Sequence, residues 1–298
     1  MLTFKINKDE TAYEVTKCDK KVTGTVTIPD TYSGKAVVGI AKEAFCACEN
    51  MTDVIIPDSV EQIGTRAFYY CAGLTNIVIP NSVKKIGNGA FISCTGLTNI
   101  VIPDSVKTAG ERIFQNCTSL KSAVLSKNMK ISGDYAFCGC TSLVSVTIPD
   151  GVKDIGKRCF EGCTGLASVT IPKSLTEYHR AFQYCAGLTN VTFQKGVKAI
   201  GQSAFERCTG LTSITIPEGV EEIQRWAFEG CTGLTSVTIP KSVVKMGGGV
   251  FGGCKQLTVN VLGLCEKPET WDPNWRGGSK CKVIWDFGGK NIVEEAGA

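Results

Sequence analysis

One residue type keeps time through most of this 298-residue chain: Cys48, Cys71, Cys94, Cys117, Cys140, Cys163, Cys185, Cys208, Cys231 and Cys254. Every gap is 23 residues except the 22 between Cys163 and Cys185. A phenylalanine keeps the same beat three residues earlier, from Phe45 and Phe68 through Phe160 and Phe182 to Phe251. Ten units therefore share the plan C-x-x-L-x-x-V-x-I-P-x-x-V-x-x-I-G-x-x-A-F-x-x. A fixed period of this length is the signature of a solenoid, and it overrides the count of about two domains that length alone would give.

Within a unit, the run from Leu74 through Ile77 and Ile79 alternates apolar and polar at its end and stops at Pro80, as a short strand does. A second extended piece follows at Ser82 to Gly87; glycine then turns the chain, and Ala-Phe drops a ring inward on a short helical turn. A single coil cannot bury its apolar side alone, so neighbours must stack about 4.8 Å apart. The expected fold is a β-rich right-handed superhelix of short strands and short helical turns, with the phenylalanine column as its spine.

Open coil ends expose unpaired backbone and apolar side chains, so the ends should differ from the middle. Residues 1–27 read as a β-hairpin cap, with Phe4, Lys5 and Ile6 alternating against Tyr13, Glu14 and Val15. Residues 28–254 read as the array, and 255–298 as a second cap in which Trp271, Trp275 and Trp285 cover the last coil.

The repeat resembles the BspA-like class of leucine-rich repeats, found in surface and secreted proteins of anaerobic microbes and some protists. The resemblance covers about residues 22–254. It extends to the ends, through the longer first loop at Ile28 to Phe45 and the W-x-x-x-W followed by VIW. It implies a leucine-rich-repeat solenoid and a role in adhesion or protein binding.

The 32 basic and 28 acidic residues leave a formal charge of +4, too balanced for a phosphate-binding surface, so nucleic acid is not the expected partner. The start, MLTFKINKDE, is no signal peptide, and no apolar run is long enough to insert in a membrane. Localisation stays open, the resemblance favouring a secreted or cell-surface protein.

Ten of the sixteen cysteines occupy one repeat position, which reads as an inward-pointing thiol packing as a small hydrophobe. Parallel neighbours hold their Cβ atoms about 4.8 Å apart, wider than a disulfide wants. The other six are Cys18, Cys46, Cys138, Cys159, Cys265 and Cys281, with no histidine or second pair at zinc spacing, so no metal or other cofactor is expected. Cys265 and Cys281 flank the tryptophan loop, where a bridge and two free thiols are both open.

In a solenoid each variable repeat position becomes a surface stripe. One stripe lies on the strand face: Asn76 and Val78, Asn99 and Val101, Ser145 and Thr147, Ser168 and Thr170, Asn190 and Thr192, Ser213 and Thr215, Ser236 and Thr238. Such side chains suit an exposed sheet, or make a flat docking surface for protein or glycan. A second stripe lies two and three residues before the phenylalanines: Arg66, Arg112, Tyr135, Lys157 with Arg158, His179 with Arg180, Arg225 with Trp226. It is basic and aromatic, the composition of binding hot spots, and equally that of a solvated flank whose arginine stems cover apolar edges.

His179 is the chain's one histidine and lies in the one irregular unit, KSLTEYHRAF, which lacks a residue and the usual glycine. Any Ser-His-Asp or Cys-His mechanism would have to run through it. The expectation is a non-enzymatic binding or adhesion module with a protein or glycan partner. The alternatives are a glycan-active enzyme using acidic positions such as Glu206, Glu221, Glu222 and Glu229, or a structural spacer.

Overall fold

The computed structural model describes residues 1–128, 130, 131 and 133–294, and among these it is a β-solenoid without a helix. Each unit runs around three faces. The first carries the Leu-x-x-Val-x-Ile strands in parallel register; the strand Ser213–Thr215 pairs with Ser236–Ile239, which pairs with Thr258–Leu262. The second carries two-residue strands, from Gln62–Ile63 and Lys85–Ile86 to Lys245–Met246. Period-2 alternation on each strand sends Ile214 and Val237 into the core and Ser213 and Thr215 out to solvent.

The third face differs from the helical turn expected of Ala-Phe. Around Phe68 the backbone N–H groups alternate: those of Ala67, Tyr69 and Cys71 bond three residues back within the coil, while those of Arg66, Phe68 and Tyr70 donate to Asn88, Ala90 and Ile92 of the next coil. A helix would aim all of them along its own axis. Left-handed residues placed two before and two after each phenylalanine turn every second peptide outward, as at Arg66 (φ 53°) and Tyr70 (φ 58°). The strain of about 1–2 kcal/mol at each such residue other than glycine is offset by a ladder that continues along this face.

The core is a stack of rings. From Phe45 to Phe251 successive phenylalanine centroids lie 4.9 to 5.9 Å apart with planes within 18° of parallel. All sixteen cysteines are free thiols; Cys281 is buried, Cys265 is exposed, and the two are not bridged. The ladder thiols do more than fill space, because from Cys71 to Cys254 each donates to the phenylalanine carbonyl of the coil before, at 3.0 to 3.4 Å.

At the front, Leu2–Ile6 and Tyr13–Cys18 form an antiparallel hairpin, and the second of these strands pairs in parallel with Lys35–Ile40. At the back, Lys282–Phe287 pairs in parallel with Thr258–Leu262 and folds back on Lys290–Glu294. Phe251 meets Trp275 edge-on at 5.9 Å, and the Trp271 indole donates to the Val243 carbonyl. Trp285 donates to Glu294, which also pairs with Arg276. Residues 295–298, which the sequence places in the second cap, lie outside the described residues.

The irregular unit interrupts the second face. Asp154 bridges to Glu177, so Tyr178 takes the core position of Ile155 and the glycine that should follow is the missing residue. Tyr178 is buried where its neighbours carry isoleucine, and its hydroxyl is satisfied by the Ala199 carbonyl at 2.7 Å.

Candidate functional site

The basic and aromatic stripe lies along the third face, and its members two residues before the phenylalanines share the left-handed backbone: Arg66, Arg112, Tyr135, Arg158, Arg180 and Trp226. That conformation points each of them outward beside the equivalent residue of the next coil. Tyr135 is flanked by two guanidiniums, Arg112 at 5.2 Å and Arg158 at 5.5 Å from its ring centroid. Arg158 is held further by donating Nη1–H to the Tyr135 hydroxyl at 2.9 Å and by Glu161, whose Oε2 lies 3.6 Å from its Nε. Burial raises the Glu161 carboxyl above the ordinary carboxylate range, against the opposing pull of Arg158 and Arg180.

His179 sits beside Arg180 at the shortened corner. Its Nε2 meets Glu177 Oε2 at 3.1 Å, while its Nδ1 is buried without a hydrogen-bond partner. Here the surface opens into a polar cavity of about 540 Å³, lined by Asp134, Tyr135, Lys157, Arg158, His179, Arg180 and Gln202. Four of the eight stripe residues, Tyr135, Arg158, His179 and Arg180, thus come together. The other four stand apart from this lining: Arg66 rests over Tyr69 and near Glu43, Arg112 is on the far side of Tyr135, and Arg225 covers the ring of Trp226 at 4.3 Å.

On the strand face, Ser145, Thr147, Ser168, Thr170, Asn190, Thr192, Ser213 and Thr215 are all exposed, as the alternation predicts. The same column is apolar toward the front, where Ile55, Val78, Val101 and Val124 face solvent in four consecutive coils. Val78 and Val101 line a groove of about 460 Å³ with Asn76 and Asn99.

A further concavity, of about 570 Å³, was not anticipated. Tyr184, Arg207, Glu229 and Lys255 wall it, and Gly230, Gly252 and Gly253 floor it. These belong to columns just after the phenylalanines, with Arg207 stacked over Tyr184 at 5.5 Å. Reading the column two residues after each phenylalanine, where Tyr184 and Arg207 give way to Gly230 and Gly253, would have found it. Burial, and then the charge of Glu206, raises the Glu229 carboxyl. Of the other acidic candidates, Glu221 pairs with Lys198. Among the described residues no three His, Cys, Asp or Glu side chains converge as a metal site requires, and no helix is long and apolar enough to cross a membrane.

The model of the BspA-type leucine-rich repeat region matches residues 38–143 and 130–258. Among solved structures the chain is similar to a leucine-rich repeat protein of T. pallidum, at 26% identity and a TM-score of 0.54, covering 78% of this chain and 87% of that one. It also resembles a leucine-rich repeat protein of Eubacterium ventriosum, at 20% identity and a TM-score of 0.50, over 93% and 92% of the two chains. The pneumococcal vaccine antigen PcpA matches at 18% identity and a TM-score of 0.53, over 100% of this chain and 89% of that one; the last two show the fold alone. No curated protein matches by sequence.

Proposed function

The chain belongs to the BspA-type leucine-rich repeat family, and from that premise we propose that it is a non-enzymatic binding module of the adhesion kind, contacting its partner through the basic and aromatic flank. In this reading residues 28–254 form the recognition array and the hairpin ends at 1–27 and 255–298 act as its caps. The supporting observation is the convergence of Lys157, Arg158, His179 and Arg180 on one cavity. Arginine and aromatic side chains held in place before the partner arrives lose little freedom on binding, which is the composition and the preorganisation of a hot spot.

The experiment is a binding screen of the purified protein against matrix proteins, cell surfaces and glycans, run beside an Arg158→Ala, Arg180→Ala, Trp226→Ala variant of unchanged melting temperature. A partner lost with the variant supports the flank. A partner retained moves recognition to the strand face at Ser145, Thr147, Ser168, Thr170, Asn190, Thr192, Ser213 and Thr215. Turnover of a glycan in the same screen would promote the enzyme reading.

A further inference from the structure

We infer that the corner shortened by one residue is a built anion site, and that its ligand is an anionic polysaccharide whose oxyanion groups sit between Lys157, Arg158 and Arg180. The inference rests on the flank reading above and adds to it a ligand class and a structural origin.

Three observations carry it. The first is an excess of cations in the lining, Lys157, Arg158 and Arg180 against one carboxylate. Around the cavity, Arg158 has Glu161 and His179 has Glu177, but Lys157 and Arg180 make no ion pair among the described residues. The one carboxylate in the lining, Asp134, is held in place by the backbone N–H of Lys157 at 2.8 Å and offsets only part of that charge. Cations at a concave surface reinforce one another's potential, and an anion entering there is drawn by all of them at once.

The second is preorganisation. The Arg158 guanidinium is fixed by the Tyr135 hydroxyl and by Glu161, and the left-handed backbone at Arg158 (φ 56°) and Arg180 (φ 55°) aims both side chains from adjacent coils. His179 stands in the same lining with its Nε2 held by Glu177.

The third is the coincidence of the cavity with the missing residue. The equivalent corner of the next coil contains the glycine Gly201 between Ile200 and Gln202; here Tyr178 runs directly into His179, and the cavity is lined by the two residues that follow that junction, His179 and Arg180, with their counterparts in the coils before and after.

The same features favour a sugar chain over a peptide. The backbone N–H groups of Tyr135, Arg158 and Arg180 are all spent on the next coil, so no strand edge is offered for a peptide to pair with. The lining is polar, with no apolar recess for a side chain, and the Tyr135 ring is flanked by arginines. Charge and hydroxyl contacts remain, which a sulfated or carboxylated polysaccharide supplies at intervals along its length.

The test uses the full chain. Binding to low-molecular-weight heparin, which carries sulfate and carboxylate, is measured by calorimetry beside hyaluronan, which carries carboxylate alone, and poly-glutamate as the acidic peptide. The expected result is binding to heparin that weakens with added salt, with Arg180→Gln and Arg158→Gln each costing about tenfold in affinity. Arg66→Gln, in the same column but outside the cavity, should change nothing. Binding to hyaluronan as well would make any oxyanion sufficient; heparin alone would specify sulfate. Both outcomes support the site.

A glycine inserted between Tyr178 and His179 restores the 23-residue unit and leaves every charge in place; it should abolish binding in a folded protein. Equal loss in Arg66→Gln and Arg180→Gln, or undiminished binding by the folded insertion variant, overturns the inference, because the ligand would then be reading diffuse charge. Tighter binding of poly-glutamate overturns the ligand class. If the insertion fails to fold, the Arg66 and Arg180 pair decides. Absence of heparin and hyaluronan binding, with a partner from the earlier screen still lost in the flank variant, sinks this inference alone and leaves the flank reading standing.

Discussion

The thiol of Cys163 donates to the backbone carbonyl of Phe137 in the preceding coil, 3.2 Å away, and the same carbonyl accepts the N–H of Cys140 at 3.2 Å. The fixed three-residue offset between phenylalanine and cysteine thus has a geometric cause: one carbonyl per coil takes a donor from its own turn and a second from the next. Replacing Cys163 by alanine removes the second donor and a buried sulfur but leaves the carbonyl its own N–H, so the expected cost is about 1–2 kcal/mol. Urea unfolding of Cys163→Ala measures it; an unchanged midpoint would show that the thiol contributes packing alone.

Alkali should destabilise the protein through its buried thiols. Burial pushes the Cys185 thiol up to about 12, and burial likewise raises Cys94, Cys117 and Cys163 well above the ordinary thiol range. An unfolded thiol ionises near about 8.5, so between that value and 12 the folded state holds protons that the unfolded chain has released. Each such thiol contributes stability that is complete below about pH 8.5 and lost at roughly 1.4 kcal/mol per pH unit above it. Urea midpoints that fall steeply above about pH 9 are expected, with a shallower slope in Cys185→Ala; midpoints flat to pH 10.5 would contradict this.

Thiol reagents should distinguish the two kinds of cysteine in the native protein. Cys265 is exposed and Cys46 and Cys138 are half-buried, whereas the ladder thiols are out of solvent. With an aromatic disulfide reagent at neutral pH, the fast phase should correspond to Cys265 and vanish in Cys265→Ser. The ladder should react only on unfolding. Fast labelling of the whole set would mean that the coils open readily.

The ring stack should make mid-array phenylalanines costlier than their area alone implies. Phe160 lies 5.3 Å from Phe137 and 5.5 Å from Phe182, so Phe160→Ala opens a gap in a continuous column. A loss of about 3–5 kcal/mol is expected, and because coils contact only their neighbours it should appear as loss of cooperativity as well as a lower midpoint. Calorimetry reads both.

Most of the fold was legible because a solenoid writes its architecture as a period. The recurrence of phenylalanine and cysteine located ten coils but not the two at the ends, whose strands Gly24–Thr27 and Lys282–Phe287 stack in parallel without that signature, and alternation sorted Ile214 and Val237 inward from Thr215 outward. The helical turn was the error of detail. Ala-Phe has no local signal against a helix, and the left-handed residues that replace one are arginine, tyrosine and tryptophan more often than glycine, because bonds to the next coil override local propensity.

The candidate site divides the same way. Sequence alone determined that Arg158, His179 and Arg180 fall on one flank and that their unit is a residue short, since both follow from counting. Only the tertiary structure decided that Tyr178 fills an isoleucine's place and that a cavity opens beside His179 while Arg66 and Trp226 stay outside it. The physical reason is that a period specifies which residues share a column, whereas the depth of a surface depends on how adjacent coils close their corners, and that is settled by packing between coils.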